Sequence, residues 1–243
     1  MHQEFYMNEI VARLTYGTQR AKEVFEANDF LYTTQRPRIA VIGCSDSRVP
    51  TDLLFDALPG EIFTFRNIGA SLEDENNPSE LSADAAKFLT YANHIGIENV
   101  VIIPHANCGC IANAIKCSGN CSCEHGHGLE ASILKDMGKK KGFTVSSVQK
   151  EEAEDYLKTH NVSPGSDSDA TFARAVEIAH GFHQAKLVKD HLTKLESKIK
   201  VHVVYFDVST CTSYVALDGA SMFEKIELSC NQSSCGCGCT GCG

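Results

Sequence analysis

Short apolar runs recur along the chain and are bounded by turn residues. Ile39-Ala40-Val41-Ile42 lies between Pro37 and Gly43. Such a run is too short for a helix and is typical of a strand buried on both faces. Similar runs predict further strands at residues 61–65, 99–103, 200–206 and 212–217. The pattern therefore predicts about four to five strands spread over most of the chain.

Longer amphipathic stretches separate these runs and predict helices. Asn77, Pro78 and Glu80 have the order of a cap, a first-turn proline and a capping box, and Gly96 marks the end of that helix. Helical spacing also predicts helices within residues 1–30, 109–116 and 170–195. The apolar side chains of the first stretch are expected to pack in the core; they include Ile10, Val11 and Leu14.

Strands that alternate with helices predict an α/β fold. We expect a mainly parallel sheet of about four to five strands flanked by helices, preceded by an N-terminal helical segment. Residues 1–226 form one domain in this prediction. Residues 227–243 are rich in Gly, Ser and Cys and are expected to form a flexible tail.

Charge and composition narrow the functional classes. The 243 residues carry a formal net charge of -9, with 31 acidic and 22 basic side chains, which argues against binding to a nucleic-acid backbone. No apolar run reaches the roughly 18 residues of a membrane helix. The first residues lack the basic start and apolar stretch of a signal peptide, so we expect a cytoplasmic protein that acts on a small molecule.

The 12 cysteines are unevenly distributed. In a reducing compartment, clustered cysteines indicate metal or redox sites before disulfides. Cys44 stands alone, and five cysteines fall between residues 108 and 123. Four more crowd the last residues: Cys235, Cys237, Cys239 and Cys242.

Two predicted strands end in reactive residues. The first is followed by Cys44-Ser45-Asp46-Ser47-Arg48, and the third by His105-Ala106-Asn107-Cys108-Gly109. Ligands of such sheets bind beyond the carboxyl ends of the strands, so neighbouring strands would bring both segments to one pocket. Cys44, His105 and Cys108 would then hold Zn²⁺ through three ligands, leaving a fourth position open for water or substrate. The alternative is that Cys44 is a small buried hydrophobe and His105 a loop histidine.

These segments, together with Arg66-Asn67, resemble the β-carbonic anhydrases in order and spacing. The resemblance extends from about Gln35 to about Leu217. It implies a zinc lyase in which a zinc-bound hydroxide reversibly hydrates carbon dioxide to bicarbonate. In the family pattern, Cys44, His105 and Cys108 match the zinc ligands, and Asp46 and Arg48 match the catalytic pair. It also implies a homodimer or a higher homo-oligomer.

The phrase Gln35-Arg36-Pro37 resembles the plant-type branch of that family. The branch pattern implies that substrate contacts four positions: Gln35, Phe63, Ile68 and Gly109. For Phe63 and Ile68, plain core packing is the alternative. Three positions depart from the pattern: Thr90 replaces a pocket tyrosine, and Pro104 and Cys211 each replace a glycine.

Other functions remain open at this point. The same ligands could serve a hydrolase of a CO2-like substrate, CS2 or COS, or a metal-storage or metal-sensing protein without catalysis. The Cys- and His-rich segment at residues 117–128 could hold a second zinc or be a plain loop. The four cysteines between residues 235 and 242 could bind an extra soft metal or remain free.

Overall fold

The computed structural model describes residues 2–74, 77–117 and 147–227. The predicted loop beyond residue 117 and the predicted tail beyond residue 227 lie outside the described residues. The helices are α1 (His2–Ala27), α2 (Thr51–Leu54), α3 (Ala83–His94), α4 (Gly109–Cys117), α5 (Ser147–Thr159) and α6 (Ser168–Lys194). The strands are β1 (Ile39–Cys44), β2 (Ile62–Asn67), β3 (Asn99–Ile103), β4 (Lys200–Asp207), β5 (Thr212–Ala216) and β6 (Glu224–Lys225).

One six-stranded sheet organises the described chain, with the strand order β2-β1-β3-β4-β5-β6. The first four strands in that order are parallel, and β5 and β6 are antiparallel additions at one edge. The predicted α/β fold with a mainly parallel sheet is confirmed. The predicted number of four to five strands is one short, because the two-residue strand β6 has no periodic pattern that could reveal it.

Strands β1 and β3 are direct neighbours, as the shared-pocket prediction requires. Their register pairs Ile39 with Asn99 and Gly43 with Ile103. Both strands are almost entirely buried, in keeping with their uninterrupted apolar sequences. Their carboxyl ends therefore deliver Cys44 and His105 to the same edge of the sheet.

Helix α3 begins later than predicted. It starts at Ala83, where the Ser82 side chain accepts a hydrogen bond from the Ala85 amide. The Asn77 carbonyl instead accepts a hydrogen bond from the Glu80 amide in a turn that precedes the helix. The apparent capping box was thus wrong, because the same residue types also suit tight turns.

Helix α6 covers the sheet beside β3 and β4 and packs against α5. Its apolar side chains Phe172, Ala175, Val176 and Ala179 are buried, and Phe182 is partly buried. Glu177, His180 and Gln184 are buried on the same helix, which is uncommon for such polar side chains.

Helix α1 confirms the predicted N-terminal helical segment, but the predicted packing of its apolar side chains is wrong within one chain. Ile10, Val11 and Leu14 are 51%, 56% and 62% exposed, respectively. Among the described residues, α1 packs mainly against the short helical turn Asp29–Tyr32 and not against the sheet, so the core does not cover these side chains. Within the described residues, no helix combines the length and apolar character needed to cross a membrane.

Candidate metal centre

The structure brings Cys44, His105 and Cys108 together at the carboxyl ends of β1 and β3. One ligand atom from each residue lies within 4.8 Å of the others, and all three residues are buried. Among the described residues, this is the only group of three or more His, Cys, Asp or Glu side chains that could hold one metal ion. The sequence prediction thus named the residues that converge.

Asn107 makes the turn between His105 and Cys108. Its φ of 57° lies in the left-handed region, which asparagine tolerates better than most residues. The Asn107 side chain donates to the Ser209 hydroxyl over 3.0 Å. The turn brings both flanking ligands to one side of the chain.

The imidazole of His105 is oriented for a ligand. Its Nδ1 lies 3.0 Å from the Ala106 carbonyl oxygen, an arrangement that fixes the proton on Nδ1. Its Nε2 is buried and has no hydrogen-bond partner in the described part of the chain. A buried nitrogen with a free lone pair is costly unless something binds it, and a metal ion would do so.

The two cysteines form a tightly coupled pair. A hydrogen bond from the Cys108 thiol lowers the pKa of Cys44 well below its usual range, and the Asp46 and Gly69 amides add to this effect. The same interaction raises the pKa of Cys108. The two sulfurs therefore lie close enough for both to bind one borderline-soft cation such as Zn²⁺. Two sulfurs and one imidazole nitrogen are a donor set that suits zinc.

Asp46 and Arg48 form a two-point ion pair beside this group. The Arg48 Nε donates to Asp46 Oδ1 over 3.0 Å and its Nη2 donates to Oδ2 over 2.6 Å. The Arg48 backbone amide also donates to Oδ1, over 2.9 Å. Arg48 holds the pKa of Asp46 below its usual range. The carboxylate is therefore ionised and turned toward Arg48, outside the three-residue ligand group.

Arg66 is a site residue that the sequence prediction quoted without giving it a role. Its Nε donates to the Cys44 carbonyl over 2.9 Å, and its Nη2 donates to the Asp46 carbonyl over 2.8 Å. Arg48 likewise donates to the Asn107 carbonyl over 2.9 Å. Arg66 thus ties β2 to the segment that follows β1, and Arg48 joins that segment to the turn before Cys108. These three hydrogen bonds end on backbone carbonyls, which every residue has, so no sequence pattern could predict them.

Glu177 of α6 was missed altogether. It accepts the Cys108 amide on Oε1 and the Tyr205 hydroxyl on Oε2, each over 3.0 Å. Burial raises the pKa of Glu177 to about 7. No pattern in the sequence marks this glutamate, because only the packing of α6 against the sheet places it behind Cys108.

The four predicted substrate positions are more scattered. Gly109 and Ile68 are exposed, near the ligand segments. The ring of Phe63 stacks on Phe88 with a centroid separation of 4.8 Å, consistent with packing. Gln35 is exposed and precedes the amino end of β1, whereas Cys44 lies at its carboxyl end. One chain therefore does not bring Gln35 into the ligand group.

The three departures from the family pattern have distinct surroundings. Thr90 is exposed, and its hydroxyl donates to the Ala86 carbonyl over 2.8 Å. Cys211 adopts a φ of 53° in an exposed turn, a conformation that glycine adopts without strain. Pro104 packs against Gly181 of α6.

Comparison with known sequences gives one consistent family. A family model described as carbonic anhydrase matches residues 39–213. The chain is 26% identical over 200 residues to the mitochondrial beta carbonic anhydrase 6 of Arabidopsis thaliana, covering 82% of this chain and 63% of that protein. It is 29% identical over 103 residues to a carbonic anhydrase of Helicobacter pylori J99, covering 42% of this chain and 47% of that protein. The chain spans about half the length of the curated relatives it matches.

Solved structures agree on the fold. The β-carbonic anhydrase CafA of Aspergillus fumigatus superposes with a TM-score of 0.57 at 21% identity, covering 91% of this chain and 90% of that chain. A structure reported with two tetrameric beta-carbonic anhydrases of Sordaria macrospora gives a TM-score of 0.56 at 19% identity, covering 90% and 97%. At such low identity, these likenesses establish the architecture.

Proposed function

The chain belongs to the β-carbonic anhydrase family, and from that premise we propose that it catalyses the reversible hydration of carbon dioxide to bicarbonate. The observation that carries the proposal is the buried ligand group with an ionised Asp46–Arg48 pair beside it. A metal site alone has many uses. A carboxylate held next to the site, in a fixed orientation, is what water activation requires.

In this proposal, Cys44, His105 and Cys108 hold Zn²⁺. The buried His105 Nε2, which faces the neighbouring sulfurs of Cys44 and Cys108, supports this assignment. Bound zinc would supply Lewis acidity, which lowers the pKa of a coordinated water toward neutrality. Two thiolates neutralise the dication, so this acidity is weaker than at a site with three neutral histidines.

Asp46 orients the reacting water. Its carboxylate is ionised, and the remaining lone pairs of Oδ1 and Oδ2 can accept a hydrogen bond from that water. Arg48 fixes the carboxylate through two parallel hydrogen bonds, a geometry that specifies direction as well as charge. The grip also holds Asp46 away from the ligand group, so a coordination position stays open for the reaction.

The Asp46–Arg48 pair separates this function from metal storage or sensing. Storage needs thiolates and imidazole but gains nothing from a carboxylate held off the metal. Hydrolysis of COS or CS2 would use the same residues, so it stays the competing activity. We propose CO2 as the substrate because the chain belongs to the carbonic anhydrase family.

We also propose a homo-oligomer. The exposed apolar side chains of α1 would be covered by a second copy. Gln35, which lies beyond the amino end of β1, could contact substrate in the predicted way only at another copy's site. The related tetrameric enzymes of Sordaria macrospora are in keeping with this assembly. Membership of the plant-type branch and a cytoplasmic location stay predictions.

The decisive experiment measures metal content and turnover on the same preparation. We expect a zinc-loaded chain to hydrate CO2 in a stopped-flow pH-indicator assay, with slower turnover of COS and CS2. Zinc-loaded protein that turns over COS or CS2 faster than CO2 would replace the proposed substrate. Zinc-loaded protein that is inactive on all three would leave storage or sensing as the function.

A further inference from the structure

Helix α6 presents a line of polar side chains to the interior. Arg174, Glu177, His180 and Gln184 follow one another at spacings of three or four residues, which places them along one face of the helix. Glu177, His180 and Gln184 are buried. Burying polar groups is costly unless each finds a partner, so their contacts identify what this face holds.

Glu177 holds the cysteine that begins α4. The Cys108 amide donates to Glu177 Oε1 over 3.0 Å. The amides of Cys110 and Ile111, in the first turn of α4, favour the thiolate form of Cys108. Cys108 is therefore fixed from two sides: its sulfur by the first turn of α4, and its backbone by Glu177.

His180 acts on the other cysteine, Cys44, through Gly69. Its Nε2 lies 2.8 Å from the Gly69 carbonyl, and its Nδ1 lies 3.3 Å from the Gln184 amide nitrogen. Gly69 lies two residues after Asn67, which pairs with Cys44 in the sheet, and its amide favours the thiolate form of Cys44. Gly69 has a φ of 74°, and a Cβ there would lie 2.8 Å from the Cys110 sulfur. The position therefore requires glycine, and His180 is the side chain that fixes its peptide.

We infer that Glu177 and His180 are positioning residues for the metal centre, each setting the place of one cysteine ligand from the same face of α6. Glu177 acts on Cys108 through its amide, and His180 acts on Cys44 through Gly69. The inference rests on the metal site of the proposed function but not on its substrate. Neither residue touches the reacting atoms.

A purely structural role would give a different result from a positioning role. Removing a residue with a purely structural role lowers the free energy of unfolding, and metal release speeds up only as far as that loss of stability explains. A positioning residue alters metal release and the ligand field by more than the loss of stability explains. Tyr205 provides the comparison for Glu177. Its hydroxyl donates to Glu177 Oε2 over 3.0 Å, and Tyr205 is fully buried but does not contact Cys108 through this bond.

The first test compares three variants by the rate of zinc transfer to a chromophoric chelator. Glu177→Leu should speed zinc release about 10- to 100-fold, the usual effect of losing a partner that orients a ligand. Glu177→Gln should restore release close to the wild-type rate, since its amide oxygen can still accept from the Cys108 amide. Tyr205→Phe should also stay close to wild type. Equal release from Glu177→Leu and Tyr205→Phe would overturn the inference for Glu177.

The second test uses Co²⁺ in place of zinc and reads the thiolate charge-transfer and d–d bands. His180→Phe should shift these bands and speed metal release, because the Gly69 peptide loses its donor. His202→Phe is the control. His202 Nε2 lies 3.0 Å from the side-chain oxygen of Asn99 at the start of β3, away from the ligand group. Unchanged bands in His180→Phe would overturn its role, whether or not Glu177→Leu folds. Both tests omit CO2, so they stand or fall separately from the proposed activity.

Discussion

Pro104 lies so close to Gly181 that a Cβ on Gly181 would come within 2.4 Å of the Pro104 Cγ. Pro104 joins β3 to His105, and Gly181 follows His180 on α6. The missing side chain at Gly181 therefore lets α6 approach the strand end that carries His105. This contact also gives a structural setting for the proline that departs from the family pattern.

Replacing Gly181 by alanine should destabilise the protein. The new methyl group would collide with the Pro104 ring, and overpacking of this kind costs about 1–3 kcal/mol. Urea unfolding of Gly181→Ala should show this loss, and adding Pro104→Ala should recover part of it by removing the ring atoms in the way.

Gly17 provides the matched control, because it also lies inside a helix. Apart from the adjoining backbone of that helix, no atom of the described residues lies within 4 Å of where a Cβ would be placed. Gly17→Ala should be neutral or should stabilise by up to about 1 kcal/mol through helix propensity. If Gly181→Ala behaves like Gly17→Ala, the close contact is not present in the folded protein.

Asp46→Asn should retain zinc and lose activity. The asparagine keeps the size of the side chain but cannot form two charge-assisted hydrogen bonds with Arg48, so the orientation of the reacting water fails. We expect CO2 hydration to fall about 10- to 100-fold, as for other residues that orient a metal site. Near-normal turnover per zinc would remove Asp46 from the mechanism.

Asp56→Asn is the control for this substitution. Asp56 is exposed and has a φ of 48°, which asparagine tolerates. It should leave both zinc content and turnover unchanged. A similar fall in both variants would point to a general effect of lost negative charge.

The pH dependence should reflect the reacting water and not Asp46. Arg48 lowers the pKa of Asp46, so the carboxylate stays ionised to a lower pH than an ordinary aspartate does. The stability that the pair contributes is present above the unfolded pKa of about 4 and is lost as the pH falls through the lowered folded value. Because Asp46 does not titrate near neutrality, a rise in CO2 hydration from neutral to mildly alkaline pH has another source.

That source can be tested by titrating activity in wild type and in Asp46→Asn. Weakened zinc acidity predicts the same midpoint in both proteins, with a lower plateau in the variant. A variant whose profile becomes flat would assign the ionisation to Asp46. A flat wild-type profile would contradict the expected effect of two thiolate ligands.

The sequence predicted the candidate site best where a reactive side chain directly follows a predicted strand. Cys44 and His105 directly follow apolar runs, so their meeting required only that β1 and β3 be neighbours. Glu177 and His180 could not be found in this way, because they act on backbone groups of Cys108 and Gly69 that are distant along the chain. Their place depends on how α6 crosses the sheet, which helical periodicity does not determine.

Cys44→Ser should remove the catalytic zinc. Serine is a harder and much less acidic donor than cysteine, so the set of two sulfurs and one nitrogen is broken. The substitution is best made in a chain shortened to residues 1–230, where the tail cysteines cannot hold metal. Elemental analysis should give close to one zinc per chain before the change and little after it. Cys211→Ser, at an exposed free cysteine, should retain the metal.

The tail should bind metal independently of the catalytic site. Cys235, Cys237, Cys239 and Cys242 lie within a short segment of small residues, and such thiolate clusters bind Cu(I) and Zn²⁺. These residues lie outside the described chain and beyond the last residue that the family model matches, at 213. Removing residues 231–243 should therefore lower the metal content of the chain and leave CO2 hydration per catalytic zinc unchanged. Loss of activity in a truncated, fully zinc-loaded chain would make the tail part of the active assembly. Unchanged metal content would show that the four thiols hold no metal.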